Sequence, residues 1–277
     1  MDIQLREEQN ELIVTSQLQE EITSCIELTN LIVKHSCHSL ETDVERVDAI
    51  MLMRMLRDLR CIQAMVSRGY LSQAASLAAG LVEQLGAVAI VAGDDENAKE
   101  WRDQPTRREK NKREHFPSKS NMGKGTCKDS KQNTKLYNDA FIKGLVGPAW
   151  SGQDASKFVC EELASEYRAL CEAKHADPIR GIGDCYYPDG NLLVFDSVLL
   201  PDDLRILHLR RILGISTLLV NNAYLIYIRH HSAPEESHMR FQEYRNLDAA
   251  IKRQILRSSP AGLSLLELLI KKQESEL

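Results

Sequence analysis

Between Thr42 and Gly93 the chain carries two stretches of helical apolar periodicity separated by a single glycine-bearing turn, and that arrangement leaves few folds open. Val44, Val47, Ile50, Met51, Leu56, Leu59, Ile62, Met65 and Val66 recur at the spacing that places them along one side of a helix running from Thr42 to Ser67. Thr42 with Glu45 three residues later forms a capping-box pattern at its start, and Gly69 is suited to a left-handed C-cap at its end. Ser72 opens the next helix, whose sequence QAASLAAGLVEQLGAVAIVAG is rich in Ala and Gly and permits close approach of a neighbour. So short a connection predicts an antiparallel helical hairpin. Glu83 is a lone carboxylate in that second helix, and Arg57, Arg60 or Arg68 on the preceding helix is its expected partner, because an unpaired buried carboxylate is costly.

The flanking sequence extends this pattern. Residues 4–33 place Leu5, Leu12, Ile13, Leu18, Ile22, Ile26, Ile32 and Val33 at helical spacing among Glu and Gln, which predicts one long amphipathic helix. Pro201 and Asp202 open a further long helix to about His231. Its most apolar run, Ile212 to Ile228, is shorter than the ~20 residues of a typical membrane span and includes Asn221 and Asn222, so a buried core helix is expected. Glu235 to Arg257 and Leu263 to Lys272 read as two more helices, the last apolar enough for a docking or oligomer contact or for a satellite helix of the same subunit. Asn133 to Leu145 predicts a short helix. CYYPDGNLLVF sets Pro-Asp-Gly between two β-prone runs, a hairpin signal at residues 184–197.

The expected fold is all-α: a single domain over residues 1–277, a bundle of seven to nine helices with one small β-hairpin, dimeric through its long helices. Apolar residues make up 43% of the 277 positions, enough for a substantial core. Seven cysteines, scattered and never spaced CxxC, speak against a disulfide framework or zinc knuckle and for a reducing cytoplasm. The acidic start MDIQLREEQNELIV lacks the features of a signal peptide, and no membrane address is expected.

Charge is distributed unevenly. Over residues 99–143 Lys and Arg number 13 against 6 acidic residues, a local +7 that leaves −12 for the rest of a chain of formal charge −5. The basic loop at about 105–135 has little apolar periodicity. It offers Arg107, Arg108, Lys110, Lys112, Arg113, Lys119 and Lys124 as nucleic-acid contacts, or as partners for an acidic protein surface. Its MGKGT is not a P-loop, since Ser118 and Gly125 replace residues that motif requires.

The chemistry-bearing stretch is EYRALCEAKHADP, Glu166 to Pro178. On a helix, residues seven apart lie within about 20° of each other, so Arg168 and His175 share a face and can share a site. Leu163, Tyr167 and Leu170 supply the apolar stripe that faces a core. Pro178 ends the helix, and His175 in its last turn equally complements the negative end of the helix dipole. Other histidines offer metal readings that compete with plain structural ones. His35, Cys37 and His38 are too close in sequence to converge easily on one ion, and His230, His231 and His238 have the same dipole explanation, so no metal or cofactor is expected.

The stretch RDLRCIQAMVSRGYLSQAASLAAGLVEQLG from Arg57 to Gly86, with EYRALCEAKHADP and YYPDGNLLVF, resembles a group of uncharacterised bacterial all-helical proteins whose architecture is similar to HEPN and abortive-infection domains. The arginine followed after six residues by histidine, at Arg168 and His175 and again at Arg108 and His115, is similar to the hallmark of HEPN-type ribonucleases. Ala169 stands after Arg168 where family members carry a polar residue, whereas Glu109 follows Arg108. The resemblance implies a defence or stress protein handling RNA, as a metal-independent endoribonuclease. His175 would be its general acid/base, Arg168 would stabilise phosphate charge and Tyr167 would orient the pair. The alternative is a non-catalytic helical module that docks a partner protein.

Overall fold

The computed structural model describes residues 3–35, 42–92, 94–99, 102, 167, 170, 186–189, 192–195, 203–231 and 234–257. Among them the chain is all-α, with seven helices. These are α1 (Ile3–Gln17), α2 (Gln19–His35), α3 (Asp43–Ser67), α4 (Leu71–Val91), the short α5 (residues 95–99), α6 (Asp203–His231) and α7 (Pro234–Arg257). The helices expected at residues 133–145 and 263–272 lie outside the described residues, as does the basic loop. Between α5 and α6, β1 (Tyr186–Asp189) pairs antiparallel with β2 (Leu192–Phe195) in the register Tyr186↔Phe195 to Asp189↔Leu192. Four residues a strand make no second layer, and the class remains helical.

The hairpin of α3 and α4 is built by its ends. Thr42 accepts from the Glu45 backbone at 3.2 Å, and the Glu45 carboxylate accepts from the Thr42 backbone at 2.8 Å, so two donors of the first turn are satisfied reciprocally. At the other end Gly69 adopts φ +83°, its N–H bonds the Val66 carbonyl, and the Tyr70 N–H bonds that of Met65. This is the pairing of a Schellman stop, and it turns the chain into α4. Ala74, Ala75, Ala78 and Ala79 are buried along α4, where their small side chains let α3 and α6 pack closely.

The sequence pattern predicts one helix over residues 4–33, whereas two helices meet at a bend at Leu18. The Leu18 N–H still bonds Val14 and the Ile22 N–H still bonds Leu18, so the helical ladder is bent rather than broken. Ser16 donates to the Ile13 carbonyl at 2.8 Å, a side-chain bond of the kind that bends helices. Arg210 of α6 spans the junction, donating to the Gln17 carbonyl at 2.8 Å and pairing with Glu21 at 2.7 Å.

Helix α6 is the axis of the bundle, packed against α2, α3, α4 and α7. At 29 residues it outruns the apolar run seen in the sequence. Asp203–Ile228 are long and apolar enough to cross a membrane, and 83% of their most apolar window is buried inside the bundle. Its polar residues are accommodated by the helix itself: Ser216, Thr217 and Asn222 donate to the carbonyls of Ile212, Leu213 and Leu218, each four residues back. Such bonds let polar side chains sit in a core without leaving a donor unmet.

Candidate functional site

Of the residues the sequence singles out for chemistry, Arg168 and His175 lie outside the described residues, as do Arg107, Arg108, Lys110, Lys112, Arg113, Lys119 and Lys124. Tyr167 is described. It is helical and packs with the buried Leu170 against the core. Its hydroxyl donates to Glu83 Oε1 at 3.0 Å. The carboxylate expected to meet an arginine of α3 thus accepts from a phenol more than eighty positions on, a partner that local sequence did not indicate.

Glu83 opens onto a cleft of about 240 Å³ between α3 and α4, lined also by Met51, Arg54, Gly80, Gln84 and Ala87. Gln84 Nε2 donates to Asp58 across the two helices at 2.5 Å, while its Oε1 is buried with no hydrogen-bond partner among the described residues. A side chain at Gly80 would meet little, only Gln84 Nε2 at 4.0 Å, so the absence of one widens the cleft. A guanidinium, a carboxylate and an amide therefore edge a single hollow, and the carboxylate is bonded to the Tyr167 phenol. That set can bind a phosphate oxygen, accept a proton and donate one.

Alongside the cleft, α3 presents a cationic face. Arg46, Arg54, Arg57 and Arg60 are all exposed and, at 100° a residue, project within about 120° of one another. Arg46 pairs with Asp43 at 3.8 Å, whereas Arg54, Arg57 and Arg60 enter no ion pair among the described residues. The apolar periodicity of α3 shows which residues it buries; the arginines are what the same periodicity leaves on the outer side.

A second polar constellation closes the end of the bundle where α2, α3, α6 and α7 meet. Tyr224, Tyr227 and His231 stand at i, i+3 and i+7 on α6 and so share a face. His35 Nδ1 is hydrogen-bonded to the Tyr224 hydroxyl, its Nε2 lies 3.2 Å from Glu243, and Lys34 donates to the other oxygen of Glu243 at 2.6 Å. A neutral imidazole wired this way accepts from the tyrosine and donates to the carboxylate. Burial keeps the imidazole pKa below its ordinary value, opposed by Glu243 and reinforced by Arg240 and Lys34. Burial likewise raises the Tyr224 phenol well above its usual range. Two turns further along α6 from Tyr224, His231 Nε2 meets Asp48 Oδ2 at 2.5 Å, with side chains 6% and 1% exposed. The Tyr227 ring lies beside that imidazole, 4.9 Å away between centroids.

The imidazoles and phenols of this second constellation are buried, with Lys34 and Glu243 at its exposed rim. His35 and His231, weighed from sequence as metal ligands or helix-end cations, bond instead to neighbouring helices. His230 is exposed, and the side chain of His238 lies outside the described residues, as do Cys37 and His38. No three His, Cys, Asp or Glu side chains among the described residues are grouped to hold a metal ion. Cys25 is buried, with its thiol pushed up to about 12 by that burial, while Cys61 is exposed. Sequence alone offered one hint of this network: Asp48 stands at a core-facing position of α3, between Val44 and Met51, where a carboxylate must find a partner.

No family model, curated protein or solved structure matches the chain.

Proposed function

We propose that this chain is a HEPN-like helical protein that handles RNA, with the arginine face of α3 as its phosphate-binding surface and the adjoining cleft as the place where Tyr167 and its neighbours act. The observation that supports it is the row of exposed arginines beside a cleft lined by Arg54 and Glu83, with Tyr167 bonded to that glutamate. Arginine at helical spacing suits a polyanion, because each guanidinium can fork onto a phosphate and displace condensed counterions. Arg168 follows Tyr167 directly in sequence, and the Arg168–His175 pair is assigned the cleavage step: His175 as general acid/base, Arg168 stabilising the charged phosphate, Tyr167 orienting both. The basic residues of the 105–135 stretch add to the field that draws in the strand. In this reading the protein is cytoplasmic, works without a metal or other cofactor, pairs with a second copy, and α6 is a core helix rather than a membrane span.

The test is incubation of the pure protein with labelled mixed-sequence RNA at several salt concentrations. Replacing Arg54, Arg57 and Arg60 with glutamine is expected to weaken binding evenly across sequences and to lower the salt slope by about one for each phosphate no longer neutralised. His175→Ala is expected to abolish cleavage while binding persists. RNA bound equally well by the triple variant, with no cleavage by either chain, would sink the proposal. The second reading, a module that docks a partner protein, is favoured by a different surface, on α1 and α2.

A further inference from the structure

Helices α1 and α2 form a nearly continuous rod of 33 residues, about 50 Å long at ~1.5 Å a residue. α1 is poorly anchored by apolar burial: of its fifteen residues Asn10 and Val14 are buried. Two polar contacts tether it to the α3–α4 turn, Asn10 Nδ2 donating to the Arg68 carbonyl at 3.1 Å and the Tyr70 hydroxyl donating to Glu7. Most helical stability in proteins comes from packing an apolar face. Here apolar residues are present and point outward. Leu5, Leu12, Ile26 and Val33 are 52%, 75%, 40% and 46% exposed. They fall at steps of seven, with Gln19 in the middle place, so the outer side of the rod carries a heptad row. Scattered exposed leucines need no explanation; a row in strict register along two helices is a seam without its partner.

We propose that this row is the docking surface for a basic amphipathic helix of another protein. Charge selects the occupant. The rod holds six glutamates, of which Glu8, Glu11, Glu20 and Glu27 are exposed on either flank of the row. Against them stand the lysine and arginine Lys34 and Arg6, and Lys34 is already paired with Glu243. A partner helix with leucines on its seam and lysines or arginines beside them meets both features at once. A second copy does not: Glu8 and Glu11 lie on one flank of the row and Glu20 and Glu27 on the other, so that in either register a second rod sets an acidic flank against an acidic flank. This surface is independent of the arginine face of α3.

The experiment uses the full chain and two fluorescent synthetic peptides, each a helix with leucine at the heptad seam, one flanked by lysines and the other by glutamates. Anisotropy is expected to show binding of the lysine peptide, no binding of the glutamate peptide, and at least a tenfold loss for the chain carrying Leu12→Ser and Ile26→Ser. Because both side chains are exposed, the urea midpoint of that double variant is expected to match the unaltered chain. The proposal is overturned if neither peptide binds or both bind alike. It is also overturned if sedimentation reveals a dimer that the double variant loses, or if the double variant unfolds early, which would place the row against its own chain.

Discussion

Gly69 joins two constraints that no other residue type satisfies together. Its φ of +83° lies in the left-handed region, which costs an L side chain about 1–2 kcal/mol. A Cβ there would also stand 2.8 Å from Asn10 Nδ2, the atom that ties α1 to the Arg68 carbonyl. Gly69→Ala is therefore expected to destabilise the chain by about 2 kcal/mol, with the urea midpoint lowered at unchanged slope. An unaltered midpoint would mean that the turn relaxes and that Asn10 holds little. This residue was legible in the sequence because a glycine just past a run of apolar periodicity has one common use. Glu83 was legible only as a problem: its burial demanded a partner, but Tyr167 stands too far along the chain for any local pattern to name it.

At the scale of elements, the contrast between α3 and the joint of α2 with α7 shows what periodicity can and cannot convey. The start, stop and buried side of α3 follow from Thr42, Glu45, Gly69 and the apolar row, all local signals. The joint is made by His35 reaching Tyr224 on α6 and Glu243 on α7, side chains brought together by tertiary packing alone. The same holds for Asp48 with His231. The joint has a consequence for pH. Facing His35 are Lys34 on α2, Tyr224 on α6, and Arg240 and Glu243 on α7, and burial is the largest influence, holding its pKa below 6.5. Since the unfolded chain takes up the proton first, this group's contribution is whole above pH 6.5 and is lost as pH falls from there toward the lower folded value. Glu243, held below its ordinary 4.5 by Lys34, acts at lower pH and does not confuse the window. The urea midpoint is thus expected to drop between about pH 7.5 and about pH 5.5, and the drop to shrink in His35→Gln. An equal drop in both chains would place the titration elsewhere.

Across the whole molecule, stability is expected to be graded by how much each helix buries. α6 lies among four helices with nearly all its middle turns buried, and α3 and α4 enclose it from one side. α1 sits at the other extreme, with Asn10 and Val14 buried and an apolar row turned outward. A helix of fifteen residues without a packed face is marginal in water, and two polar tethers add on the order of 1 kcal/mol each. Amide hydrogen exchange under native conditions is therefore expected to split. Amides of α1 exchange through local opening that hardly depends on denaturant, and those of α3, α4 and α6 exchange only through global unfolding. The same measurement bears on the docking surface, because a basic helix seated on the rod must slow exchange in α1 and leave α6 unchanged. Protection in α1 equal to that in α6, with no partner present, would show that the rod belongs to the cooperative core and that its outward row already has a cover.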